Sequence, residues 1–185
     1  MSQTPRWVSR LNEIVAWCLA HWLLFANGLV LVYGGLPWLS PVLYAEGYSW
    51  WGRLLFLIYT PFCHQKPDRA FFVQGYQVAF CERESAMYTA LFIGGLLYAL
   101  LRTKIRPLPV RMGALLLLPM LLDGGTQLLN DIFGSLRSHD HSIGSFNFWM
   151  RMLTGVLFAL AVIMTIYPRL DRDLRPFGSG AAKSE

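Results

Sequence analysis

Between Glu13 and Glu46 the chain reads IVAWCLAHWLLFANGLVLVYGGLPWLSPVLYA, residues 14–45, with no Asp, Glu, Lys or Arg. A helix needs roughly 20 apolar residues to cross the hydrocarbon of a bilayer, so this run can span with residues to spare. A cleaved signal peptide carries a core of only about 7–15 apolar residues, and no A-x-A site follows a short core here. The segment therefore reads as a retained anchor.

Further along, Ser85 to Leu101 is charge-free, Met112 to Asn130 is apolar apart from Asp123, and Met152 to Pro168 is charge-free again. These runs predict four spans at approximately 16–38, 84–102, 110–130 and 149–167. Each must be helical, because lipid offers no partner to an unpaired backbone group. Composition agrees. The chain is 55% hydrophobic and 15% charged, against about 45–50% and 25% for a soluble domain. At 185 residues there is room for one bundle. The expected fold is all-α, a single integral membrane domain over 1–168, followed by a solvated, frayed cytoplasmic tail over 169–185.

The formal net charge of +5 would suit an anionic partner if it were clustered. It is instead distributed by loop. Arg6 and Arg10 precede the first span, Arg102, Lys104, Arg106 and Arg111 crowd the second connection, and Arg169, Arg172, Arg175 and Lys183 follow the last span. The other six of the 16 basic residues are spread over two longer loops and offset by acids. The positive-inside rule then places both termini in the cytoplasm and both long loops outside the cell membrane. The charge is a topology signal and argues against a nucleic-acid partner. The partner in view is the lipid bilayer, with a homo-oligomer or a larger membrane complex as further candidates.

The first outer loop carries most of the chemistry. Tyr48 to Phe62 (YSWWGRLLFLIYTPF) is too short to cross alone, and its aromatic residues suit the headgroup zone. It predicts an interfacial or re-entrant helix ended by Pro61. Ala70 to Phe80, centred on Gln74-Gly75, predicts a small hairpin. That hairpin brings Cys63, His64, Cys81 and Glu84 near the outer end of the second span. Thiolate, imidazole and carboxylate ligands suit Zn²⁺, although the spacing matches no known zinc signature and adjacent Cys63 and His64 do not easily share one ion. A Cys63–Cys81 disulfide and a pair of free structural thiols are the alternatives, and all three stay open on sequence alone.

Asp123 lies in the third span with Gln127 and Asn130 on the same helix face. A carboxylate in an apolar helix turns to a partner, to water or to the bundle interior. Arg83 and Arg151 are its candidate partners, and the pair could serve a site or simply lock helices. Small residues at four-residue spacing (Ala86, Ala90 and Gly94; Gly155 and Ala159) predict close helix packing.

Cys63-His64-Gln65, Pro67-x-Arg69-x-Phe71, Cys81-x-Arg83 and Tyr88, followed by Asp123-Gly124-x-Thr126-Gln127 and Arg151-x-x-Thr154-Gly155, resemble an uncharacterised family of prokaryotic multi-pass membrane proteins, a domain of unknown function. The resemblance runs from about Tyr59 to Leu157 and implies a small membrane protein with no assigned activity. Two departures stand out. Glu84 and Ser85-Ala86-Met87-Tyr88 replace the family's usual Cys or Asp and T-G-x-Y, and the stretch from Asp131 to Phe148, with His139 and His141, is longer than the pattern.

The polar site expected from all this comprises Gln65, Arg69, Arg83, Asp123, Gln127 and Arg151 beside the Cys63, His64, Cys81 and Glu84 candidates, near one membrane face. It would bind a metal or act as a redox centre, and metal-assisted hydrolysis or thiol–disulfide exchange would fit the residue types. The alternative is an accessory subunit of a larger membrane complex. No C-x-x-C, H-E-x-x-H, G-x-S-x-G or phosphate-binding glycine loop is present, and the sequence selects no substrate or enzyme class.

Overall fold

The charge-free run does not form one helix. In the computed structural model, which describes residues 5–134 and 137–180 with side chains to Leu174, helix α1 (Arg6–Ala20) ends at His21 and α2 begins at Trp22, running to Ala45. His21 leaves helical geometry with its Nδ1 2.8 Å from the Trp17 carbonyl. The first span therefore starts and ends several residues later than the sequence predicts. Loss of charge marks where a chain can enter lipid; it does not mark where the helix bends. Helix α1 buries none of its residues and packs beside the last helix, α7 (Tyr167–Gly180). Where a frayed tail is expected from Arg169, the chain is thus helical to Gly180; residues 181–185 lie outside the described part.

Among the described residues four helices are long and apolar enough to cross a membrane: α2, α4 (Glu82–Leu101), α5 (Val110–Phe133) and a continuous stretch from Phe146 to Leu174 that includes α6 (Phe146–Thr165). Their outward faces are apolar: Leu29 is 69% exposed, Leu100 79% and Leu121 70%, as lipid contact requires. Helix α4 packs most extensively on α6, and α5 on α6 next. Gly155 explains the first contact. A Cβ there would meet the Arg83 carbonyl oxygen at 2.4 Å and the Met87 amide nitrogen at 3.0 Å, so only glycine lets the two backbones approach. Below this point Met87, Leu91, Tyr98, Ala159 and Ile163 form the apolar core.

The short helix of the first long loop is α3 (Ser49–Tyr59). It runs back along α2: Ser40 Oγ donates to the Gly52 carbonyl (2.8 Å), and further along both helices Tyr59 Oη donates to the Tyr33 carbonyl (2.8 Å). The second bond has a cause in the sequence. Pro37 sits inside α2 and has no N–H, so the carbonyl four residues earlier, that of Tyr33, loses its helical partner. Tyr59 supplies the missing donor.

After one 3-10 turn (Pro67–Arg69), strands β1 (Ala70–Val73) and β2 (Tyr76–Cys81) form the expected antiparallel hairpin. Gln74 (φ 51°) and Gly75 (φ 82°) both adopt left-handed geometry, the signature of a type I′ turn whose twist matches the strands. Register is Val73↔Tyr76 and Phe72↔Gln77, then slips so that Ala70 faces Cys81. This irregularity sets Cys81 at the base of the hairpin, directly before α4. Ring contacts dock the hairpin on α2, with Phe71 against Trp38 and Tyr76 against Tyr44.

Candidate functional site

Cys81 ends β2 and is also the N-cap of α4. Its position forms a capping box: the Cys81 amide donates to Glu84 Oε2 (3.4 Å), while the Glu84 amide reaches back to the Cys81 sulfur. This arrangement satisfies helix-end amides and turns Glu84 toward the thiol. The same Cys81 amide also lies 3.2 Å from Cys63 Sγ. Cys63, Cys81 and Glu84 therefore converge, each offering one ligand atom, and the three atoms lie within 4.8 Å of one another. Both cysteines are free.

Gln65 holds Cys63 in place. The residue is buried and adopts φ 47°, a left-handed conformation unusual for a side-chain-bearing residue. That turn aims its amide at Cys63 Sγ, 3.4 Å away. Its side-chain Nε2 donates to the Phe56 carbonyl of α3 (2.7 Å) and the Ala79 carbonyl of β2 (3.0 Å), and its Oε1 accepts from Thr60 Oγ1 (2.9 Å). Gln65 thus clamps the end of α3 to β2, with Cys63 between them. The middle member of the Cys-His-Gln run points elsewhere: His64 is exposed and borders the neighbouring cavity without joining the cluster. The two thiols affect each other. A hydrogen bond from Cys63 lowers the Cys81 thiol's pKa, whereas that same bond, with burial, pushes Cys63 up.

Asp123, with no exposed side-chain surface, is held by two arginines: Arg83 Nη2 at 2.5 Å and Arg137 Nη1 at 2.6 Å. Gln127 Nε2 adds a contact at 3.2 Å. Of the two partners the sequence offered, Arg83 is the one used. Arg151 instead binds Glu82 (Nε–Oε2 2.6 Å), each side chain 2% exposed, and places Nη1 3.1 Å from His141 Nδ1. Since a guanidinium only donates, His141 Nδ1 accepts and the imidazole carries its proton on Nε2, which faces Asp68 at 3.6 Å. Burial, then the charge of Arg69, lowers the pKa of His141. Arg69 and Lys66 both bind Asp131 at 2.7 Å.

A cavity of about 240 Å³ joins these groups. Cys63, His64, Gln65, Arg69, Cys81, Arg83, Glu84, Gln127 and Arg151 border it, as does Gly124. Asp123 lies behind its wall, bonded to Arg83. Gly124 has a spatial role here: a Cβ would come 3.2 Å from Arg83 Nη1. Residues not foreseen as site members are Glu82, Arg137 and Asp131. The Cys-Glu-Arg-Glu run held a signal for Glu82, since an acid in the first turn of a span invites a buried base. Arg137 sits in a loop, where helix-face reasoning has no reach.

Residues 63–165 match the family described as "Predicted membrane protein (DUF2085)". An uncharacterized protein of Methanocaldococcus jannaschii is 32% identical over 117 residues, covering 62% of this chain and 67% of the relative. An uncharacterized protein of Methanothermobacter thermautotrophicus is 34% identical over 67 residues, 36% of this chain and 60% of the relative. No solved structure matches. Cys63, Cys81 and Glu84, the arginine-bound Asp123 and the Gly155 contact all lie within the matched segment, and the chain belongs to the DUF2085 family of predicted membrane proteins.

Proposed function

We propose that this protein binds a metal ion, zinc by donor chemistry, through Cys63, Cys81 and Glu84 at the outer face of the cell membrane. The observation that carries the reading is the convergence of two sulfurs and a carboxylate within 4.8 Å. Two thiolates with one hard oxygen suit zinc, and three protein ligands leave one position for water or a ligand from the cavity. The backbone offers donors to a metal-bound thiolate, the Gln65 and Cys81 amides both being directed at Cys63 Sγ and Cys81 standing at a helix N-terminus; the charge of an ion would offset the burial that raises Cys63. A zinc ion so held would supply Lewis-acid activation of a water. Orientation follows from the basic residues, ten of the 16 lying at the termini or in the Arg102–Arg111 connection, so that the termini are cytoplasmic.

Elemental analysis of the detergent-purified full chain tests the metal. We expect about one zinc per chain, lost in Cys63→Ser, Cys81→Ser and Glu84→Gln. Intact-mass measurement after alkylation separates the competing disulfide, which resists a chelator and yields to reductant. Thiols that alkylate freely without either treatment would overturn both. Orientation is checked by cysteine labelling in intact cells; a reporter at His139 that proves cytoplasmic reverses it.

A further inference from the structure

Four cations, Lys66, Arg69, Arg83 and Arg151, border the cavity against two carboxylates, Glu84 and Asp131. Their pairings leave donors over. Arg151, 1% exposed, spends Nε on Glu82 and Nη1 on His141, and its Nη2 has no partner. Arg83 spends Nη2 on Asp123, and its Nε has none. One carboxylate, Asp123, answers both Arg83 and Arg137, and Glu84 is the other acid beside Arg83 at the cavity. Buried guanidinium N–H groups without acceptors are costly.

We propose that the cavity binds a phosphate-type oxyanion, held by Arg83 and Arg151 with Lys66 and Arg69 at its rim. Each guanidinium keeps a donor for the anion, Nη2 on Arg151 and Nε on Arg83, and N–H groups held in fixed directions by paired arginines suit charge-assisted bonds to phosphate oxygens. A volume of about 240 Å³ holds a phosphate group with room for an ester substituent. Depth agrees with this chemistry. Arg83 is the second residue of α4, Arg151 lies in the second turn of α6, and Asp131 in the last turn of α5. Groups so close to the ends of spanning helices sit near the level of lipid headgroups. A lipid phosphate and free phosphate would meet the same donors. Gly124 keeps the space that Arg83 Nη1 occupies. The inference deepens the metal reading and rests on its cavity: the oxyanion would lie beside the position those three ligands leave open.

The test is calorimetric titration of the detergent-solubilised full chain with inorganic phosphate, against chloride at equal ionic strength. A parallel arm uses water-soluble dihexanoyl phosphatidic acid, with dihexanoyl phosphatidylcholine as control. Phosphate should bind, and Arg83→Gln should weaken it at least tenfold; Asp123 keeps Arg137 in that variant, which favours folding. Arg151→Lys, which leaves a charge for Glu82 but removes the free Nη2, should weaken it likewise and carries the test if Arg83→Gln does not fold. Phosphatidic acid binding well above phosphate names the headgroup as the source, and equal binding names the free anion; either supports the site. Repeating the titration after chelation separates the two readings. Binding that survives chelation and responds to the arginine variants supports the anion site even if the protein proves metal-free. Three results overturn it and leave the metal reading intact: a zinc-bearing protein that takes up neither probe, binding unchanged in folded arginine variants, or binding that depends on the metal alone.

Discussion

The two ends of the bundle treat charge in opposite ways. At the end formed by the 102–109 connection and the start of α7, Arg102, Lys104, Arg106 and Arg111 are exposed. The pairing there is looser: Arg102, with 45% of its side chain exposed, meets the buried Asp171 at 3.6 Å, and Arg169 caps the Thr165 and Leu108 carbonyls. At the hairpin end the charges are inside. Glu82, Asp123 and Arg151 are buried, and Arg83 and Arg137 reach inward to Asp123. An exposed cation at a helix end anchors orientation and needs no partner. A buried one requires a partner, so the hairpin end is an interior built around ions.

Substitutions should separate the ends by size of effect. Asp123→Ala leaves Arg83 and Arg137 facing each other without an acid, and Glu82→Ala strands Arg151. Each should cost about 3–5 kcal/mol in thermal or denaturant unfolding in detergent. A loss no greater than that of an exposed-end variant would erase the distinction. Gly155→Ala forces α4 and α6 apart at the Arg83 carbonyl, at about 1–3 kcal/mol, and zinc and phosphate uptake should fall with it. An unchanged affinity would show that the site tolerates a shift in that contact. Gln65→Ala leaves the Phe56 and Ala79 carbonyls short of a donor. It should cost about 1–3 kcal/mol and speed alkylation of Cys63 in the metal-free protein; an unaltered alkylation rate would deny Gln65 its clamping role.

Acid should act on the hairpin end through His141. Burial and Arg69 lower its pKa, with Arg151 acting in the same sense and Asp68 and Asp131 against it. The unfolded chain, with a value near 6.5, therefore takes up the proton first. The contribution to stability is complete above about pH 6.5 and is lost as pH falls from there through the folded value. The melting temperature should drop over that window more in the wild type than in His141→Gln; parallel curves would clear His141 of the effect. The smallest change belongs to the opposite end, where Arg102→Ala should cost about 0–1 kcal/mol. A larger loss would mean that its contact with Asp171 supports the fold as the buried pairs do.

Much of this arrangement is legible in one dimension. Apolar run length located four spans, Gln74-Gly75 located a turn, and Asp123 announced itself as a lone acid in an apolar helix. What failed to show depends on rotation and on chain far away in sequence. Arg83 and Arg151 stand at similar depth, so sequence cannot rank them as partners of Asp123; the azimuth of α4 and α6, fixed by Gly155, does. Arg137 reaches Asp123 from a loop with no periodicity to read. His21 breaks a run that hydropathy treats as uniform, because α1 packs on α7 instead of prolonging α2. The cavity belongs to neither class. It exists only once three helix ends and a hairpin base are together, although most of the residues around it could be named beforehand.

The bond from Tyr59 to the Tyr33 carbonyl also bears on the order of biogenesis. Until residue 59 has been synthesised and α3 has folded back, the first span holds a carbonyl that Pro37 cannot serve, in surroundings where an unmet acceptor is expensive. Docking of the segment that carries Cys63 therefore supplies a hydrogen bond that the span cannot make by itself. The bond that serves the first membrane helix thus also ties down the helix that leads into the candidate site.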